Sequence, residues 1–211
     1  VETGRIKDTP DRQLKTALRR IVATFRTEVR LTPSQNLLLA GVATDQKDAI
    51  TAELGAHGIP VENQAGAIRR ASMACPSMPT CGLGLAESER ALPGILTLIE
   101  GLLAELNLSA EEIIIRMTGC PNGCARPYLA EIGFVGRAPG KYSLYLGGNA
   151  GTTRLNQEYR ASVKVDEIVP VLRPVLTRWK NERPPGERLG DFCARVIWPE
   201  EKVLTTTAVT N

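Results

Sequence analysis

Four of the five cysteines fall in two tight pairs, and any fold this chain adopts has to accommodate both. The first pair lies in Met73-Ala74-Cys75-Pro76-Ser77-Met78-Pro79-Thr80-Cys81, a C-x5-C spacing. The second lies in Thr118-Gly119-Cys120-Pro121-Asn122-Gly123-Cys124, a C-x3-C spacing. Both occupy Pro- and Gly-bearing turns, where a backbone can bend around a ligand. One such pair alone reads equally well as two buried structural thiols; two pairs together read as a metal site. Four thiolates give one ligand to each iron of a cubane cluster. Zinc is the main competitor, but structural zinc sites usually place two to four residues between paired cysteines, and the x5 gap fits that poorly. Cys81 precedes an expected helix, whose positive end would favour an anionic cluster. Met73, Met78, Leu83 and Leu85 would supply an apolar shell that restricts water. Cys193 stands apart in Gly-Asp-Phe-Cys-Ala and reads as a buried free thiol.

Composition narrows the remaining classes. The 211 residues are 43% hydrophobic and 23% charged, enough for one medium domain or two small ones with a packed core. That balance excludes a disordered tail, a collagen-like fibre and a disulfide-stapled miniprotein. Apolar stretches such as 36–43 and 113–115 fall far short of the roughly 20 residues a membrane helix needs. A net charge of +3 and 4% aromatic residues give neither the clustered basic footprint nor the stacking platform of a nucleic-acid binder. The single histidine, His57, leaves no material for a catalytic triad or a multi-histidine site, and its place at a helix end reads as surface or capping. No secretory signal opens residues 1–20, so the cysteines point to metal or catalysis before disulfides, and the location expected is cytoplasmic. The chain opens on Val1 rather than methionine, which reads as a piece of a longer protein.

Periodicity predicts an α+β chain. Asp11 caps an expected helix over 12–26 with Leu14, Leu18, Ile21, Val22 and Phe25 on one face. Strands are expected at 29–31 and 37–42, separated by a polar turn, then a helix capped by Thr44 or Asp45 and ending near Gly55 and Gly58. This helix–strand–strand–helix module fills residues 1–65. The second module, 66–199, opens with a strand-like approach to Cys75. Helices are expected at 83–92 and 94–106 with Pro93 as a break, then a turn and a strand over 113–117. Further strands are expected at 131–135 and 142–146, and a helix at 166–182 that Pro170 and Pro174 would kink or split. Residues 200–211 are expected to be a ragged, disordered end.

The cysteine motifs resemble those of the sirohaem sulfite/nitrite reductase family, in its sulfite reductase haemoprotein branch. The likeness extends through Leu85-Ala86-Glu87-Ser88-Glu89-Arg90, Ala130-Glu131-Ile132-Gly133-Phe134-Val135-Gly136 and Leu146-Gly147-Gly148-Asn149. It also takes in Gly4-Arg5-Ile6 and Ser34-Gln35-Asn36-Leu37, nearly the whole chain to about residue 198. The resemblance implies the C-terminal half of a two-half protein: a ferredoxin-like module followed by a cluster-bearing repeat with a mixed sheet and flanking helices. It implies a 4Fe–4S cluster on Cys75, Cys81, Cys120 and Cys124, with Cys124 shared as the axial ligand of sirohaem. The implied reaction is assimilatory six-electron reduction of sulfite to sulfide. Electrons would come from an NADPH-linked flavoprotein subunit or from ferredoxin, and basic residues that hold sulfite would belong to the N-terminal half of the same protein. Sirohaem is rich in carboxylates, so Arg5, Arg30, Arg69, Arg70, Arg116 and Arg126 are candidate partners, Arg30 and Arg126 foremost. Gln35 and Asn36 could bond the macrocycle or satisfy their own turn, and Asn122 could do either as well. The alternatives are a nitrite reductase of the same family, which the filling of the first cysteine loop disfavours, a non-catalytic iron–sulfur carrier, and a zinc-stabilised interaction module.

Overall fold

The computed structural model describes residues 1–62 and 64–198, so the expected ragged end at 200–211 lies outside the described residues. The first module is α1 (Leu14–Phe25), the antiparallel hairpin β1 (Glu28–Leu31) and β2 (Leu37–Ala40), and α2 (Lys47–Ala56), in the order expected. The cap of α1 differs from the expectation. Asp8, not Asp11, reaches the first turn and accepts from the Thr16 amide (3.1 Å) and hydroxyl (2.8 Å). Those bonds satisfy a donor that has no intrahelical partner and hold the Asp8 carboxyl below its usual range. α1 buries Ala17 and Ile21 and packs on α2. His57 follows α2, its Nδ1 2.9 Å from the Glu53 carbonyl, a capping position as expected.

After a single-turn helix α3 (Ala67–Arg70), the second module forms one five-stranded sheet. Its strands are β3 (Met73–Ala74), β4 (Ile115–Thr118), β5 (Ile132–Ala138), β6 (Lys141–Leu146) and β7 (Gln157–Lys164), in that spatial order. β3, β4 and β5 run parallel, whereas β6 and β7 return antiparallel. Helices α4 (Leu92–Glu105), α5 (Ile168–Glu182) and α6 (Leu189–Val196) share one continuous core with one face of this sheet. Ile115 and Met117 of β4, Ile132 and Phe134 of β5, and Leu144 and Leu146 of β6 point into it. Each fully buried side chain of this size contributes roughly 1.5–3 kcal/mol. The even-numbered residues of β4 face the other way, and that face carries the site.

Four expectations are corrected. Residues 83–91 are not helical; they form successive turns, and Pro93 starts α4 rather than breaking a longer helix. At the first helical turn proline's missing N–H is no loss. α5 runs unbroken through Pro174, because Leu172, Val175, Leu176 and Trp179 are buried on its other side and hold it. β7 was not expected, since Val163 is its one buried residue and no apolar alternation marks it. α6 was not expected either, being only eight residues long. Its start is fixed by the fully buried Glu131, whose carboxylate accepts from the amides of Ile114 (2.9 Å) and Gly190 (3.1 Å) and from Arg188 (2.8 Å).

Candidate cofactor site at the edge of the parallel strands

β3 and β4 pair in parallel, Met73 opposite Arg116 and Ala74 opposite Met117, so the chain leaves both strands at the same edge of the sheet. Cys75 follows β3 at once, and Cys120 comes two residues after β4. The two loops are stitched together by backbone. The Cys75 amide donates to the Met117 carbonyl (3.1 Å), and the Gly119 amide donates to the Cys75 sulfur (3.3 Å). The turns at 82–91 close the loop from outside. Leu85 and Ala86 amides donate to the Gly119 carbonyl at 2.8 and 3.0 Å, Glu89 donates to the Cys75 carbonyl, and the buried Ser77 hydroxyl donates to the Ala86 carbonyl. Arg5 clamps Glu89 with both ends of its guanidinium, tying the N-terminal segment to these turns. At Gly119 a Cβ would stand 1.6 Å from the Ser77 Oγ and 2.4 Å from the Ala86 oxygen, so no side chain fits.

Cys75 and Cys120 are buried, Cys81 is half-buried and Cys124 is exposed. Met73, Cys75 and Ala125 form a small buried apolar cluster that joins the first loop to the second. The expected apolar shell is only partly present, since Leu83 and Leu85 are exposed. The expected helix dipole at Cys81 is absent too: turns follow it, and its amide donates to the Ser77 carbonyl. Among the described residues no three His, Cys, Asp or Glu side chains converge as a single metal ion would require. A four-iron cluster asks for a different arrangement, because each iron takes its own thiolate and the ligands stand apart around the cluster body.

The polar candidates divide by what already engages them. Arg30 lies exposed on β1 with both guanidinium ends on Glu28 (3.0 and 2.9 Å). Gln35 pairs with β3 like a further strand, its amide donating to the Ala74 carbonyl (2.6 Å) and accepting from the Ala74 amide (3.1 Å). Asn36 donates to the Ser34 carbonyl inside its own turn. Each of these three side chains is thus bonded within the chain, Gln35 and Asn36 to backbone and Arg30 to Glu28. Arg69 is held by Glu100 and Thr97. Asn122 is exposed at the tip of the second cysteine loop.

Arg116 and Arg126 are different. Arg126 donates to the Pro33 carbonyl (2.8 Å) and leans on the Met73 sulfur. Arg116 lines a cavity of about 220 Å3 together with Ser34, Arg70, Met73, Glu112 and Ile114. Its Nη1 is buried without a hydrogen-bond partner, and the Thr118 Oγ1 on the same face of β4 is likewise unpaired. Burial, and then the charge of Arg126, lower the pKa of the Arg116 guanidinium from its usual value. A buried cationic donor beside a second cation lacks an acceptor, and an anion would supply it.

Tyr128 escaped sequence reasoning. It sits beside the second cysteine loop, and burial raises its phenol pKa, with Arg137 opposing and Cys120 and Glu158 reinforcing the rise. Nothing local in the run Cys124-Ala125-Arg126-Pro127-Tyr128 says that the ring folds back onto the loop.

Residues 65–204 match the family model described as the nitrite and sulphite reductase 4Fe-4S domain, and residues 1–57 match the nitrite/sulfite reductase ferredoxin-like half domain. The chain belongs to the nitrite and sulphite reductase family. Among its relatives in that family is the sulfite reductase (NADPH) hemoprotein beta-component of Staphylococcus haemolyticus, 50% identical over 92% of this chain and 34% of that protein. The protein of the same description from Bacillus subtilis is 48% identical over 92% of this chain and 34% of its own length. Among solved structures the Mycobacterium tuberculosis NirA protein is similar, with a TM-score of 0.68 and 26% identity, covering 85% of this chain and 35% of that one. The chain thus spans about a third of the length of the curated reductases it matches. Among the described residues no helix is long and apolar enough to cross a membrane.

Proposed function

We propose that this chain is the cofactor-bearing, C-terminal part of an assimilatory sulfite reductase haemoprotein. Cys75, Cys81, Cys120 and Cys124 hold a 4Fe–4S cluster, and Cys124 also ligates the iron of sirohaem. The observation that carries this reading is the parallel pairing of β3 and β4, which delivers both cysteine loops to one sheet edge with a backbone N–H from one loop on a sulfur of the other. Cys124 suits the shared position because, of the four thiols, it is the exposed one, with room on its outer side. When bound, the coupled groups would pass to sulfite, in successive steps, the six electrons that an external donor provides, with protons taken up and water released.

The chain's own residues do the holding. Gly119 holds the Cys75 sulfur through its amide, and the tight Ser77–Gly119 approach fixes the distance between the loops. Arg116, with its unpartnered Nη1, and Arg126 beside it are the cations fitted to a carboxylate of the macrocycle. Asn122, exposed between Cys120 and Cys124, remains a candidate contact on the same side. The NADPH in the relatives' names supports a flavoprotein donor over ferredoxin. The half-domain match and the one-third coverage support a partnership with the remainder of the same polypeptide, which would bring the residues that bind sulfite. The two family matches, 1–57 and 65–204, support a division into a first module over 1–65 and a second over 66–199. Free thiols and an oxidant-sensitive cluster suit the reducing cytoplasm, where sulfate assimilation leads to cysteine.

The test is metal and sulfide content, with an absorption spectrum, of the anaerobically purified parent protein supplied with sirohaem. Roughly five irons, four labile sulfides and a sirohaem spectrum are expected per chain, and Cys124→Ser should lose both cofactors while Cys193→Ser keeps both. Zinc without sulfide would overturn the reading. A full sirohaem spectrum in Cys124→Ser would overturn the shared ligand alone.

A further inference from the structure

Tyr128 touches the turn between Cys120 and Cys124 at both of its inner ends. Its hydroxyl donates to the Pro121 carbonyl (3.1 Å), and its ring lies against Gly123, where a Cβ would stand 3.1 Å from the ring edge. Gly123 has φ +71°, so the turn needs glycine there on both counts. The phenol is itself braced by the antiparallel part of the sheet. Tyr145 of β6 meets the Tyr128 ring edge-on, with centroids 5.2 Å apart. The Tyr145 hydroxyl donates to Glu158 of β7 (3.2 Å), and Arg137 of β5 donates to the same carboxylate oxygen (2.9 Å). The Asn156 amide donates to the Tyr128 carbonyl at 2.8 Å. Side chains of three strands thus form one connected set that meets the Tyr128 ring through Tyr145, and that ring bears on a five-residue cysteine loop whose tip is exposed.

We propose that Tyr128 is a positioning residue for the Cys120–Cys124 pair, holding their turn against the sheet and setting the electrostatic environment of the cluster they ligate. This rests on the function proposed above. The phenol places the positive end of its O–H dipole on a carbonyl that lies between two ligands. Removing it leaves that carbonyl's negative end unanswered and frees the turn to move and admit water. Hydrogen bonding and solvent exposure near a cluster are levers on its reduction potential.

The test uses the cofactor-loaded parent protein and three variants, Tyr128→Phe, Tyr128→Leu and Tyr145→Phe. The readouts are the midpoint potential and electron paramagnetic resonance spectrum of the reduced cluster, the rate of cluster loss to a chelator, and the KM for sulfite. Tyr128→Phe keeps the ring and removes the donor. It should shift the potential negative and lose its cluster roughly five-fold faster, the factor one neutral hydrogen bond represents, with KM unchanged. Tyr128→Leu should exceed it and Tyr145→Phe should fall short of it. Wild-type potential, spectrum and loss rate in both Tyr128 variants would overturn the proposal, as would a Tyr128→Phe protein that fails to fold. A wild-type protein lacking iron and labile sulfide would instead overturn the functional reading, and this inference with it.

Discussion

Cys193 shows what burial alone does to a thiol. It lies fully enclosed in the core shared by α5, α6 and the sheet, and burial, with the charge of Glu131 adding to it, pushes its pKa up to about 12. The folded protein keeps the proton that the unfolded thiol releases near pH 9. Above that point the unfolded state therefore binds fewer protons, and stability falls as pH rises toward 12. The loss amounts to up to about 4 kcal/mol at the top of the window. Tyr142, also pushed up to about 12 by burial, adds a fall of the same sign over a narrower range. Urea midpoints of the parent protein at about pH 8, 10 and 11 should show this decline, and Cys193→Ala should flatten it. Equal slopes in the two proteins would contradict the assignment. The seclusion of this cysteine was readable from its apolar neighbours, as were the four ligand candidates from their spacing. The partners of Arg30, Gln35 and Asn36 were not. A glutamine in a turn carries no mark of a bond to Ala74, and the salt bridge of Arg30 to Glu28 competes with any ligand.

At the level of elements, the hairpin β1–β2 docks onto β3 through its tip. Gln35 offers β3 a donor and an acceptor in strand-like geometry, and Arg126 holds the Pro33 carbonyl beside it. Gln35→Leu would strip both partners from the fully buried Ala74, costing about 2–4 kcal/mol. Hydrogen exchange at the Ala74 amide should accelerate sharply in the parent protein; unchanged exchange would mean that the hairpin is held by something else. The same competition between side-chain pattern and backbone demand explains the misread segment at 83–91. Leucines and charges there mimic a helical face, but Gly82 and Gly84 weaken it. The amides of Leu85, Ala86 and Glu89 are drawn instead to carbonyls of the cysteine loops. β7 was illegible for the opposite reason, since a strand with one buried residue leaves no period to read.

On the scale of the whole molecule, the first module has more apolar surface than it can cover. Val29, Leu31 and Leu38 on the hairpin are 45%, 79% and 54% exposed. Truly exposed positions tolerate substitution within about 0.5 kcal/mol. If the rest of the polypeptide covers this hairpin, Leu31→Asp in the parent protein should cost about 2 kcal/mol or more, as burying an unpaired charge does. A negligible change in its denaturation midpoint would show that the surface stays open.

The parallel pairing of β3 and β4 also imposes an order of events. Parallel neighbours cannot be joined by a tight turn, and here α4 and its flanking turns lie between them. Cys75 and Cys120 are therefore strangers until that long excursion has closed and α4 has packed on the sheet. A half-made polypeptide presents at most one cysteine pair, with no opposing loop to complete the set. On the proposed ligand set, iron and sulfide would be retained only by a chain that has finished this crossover, so a mutation that slows the packing of α4 should delay cluster loading without touching a ligand.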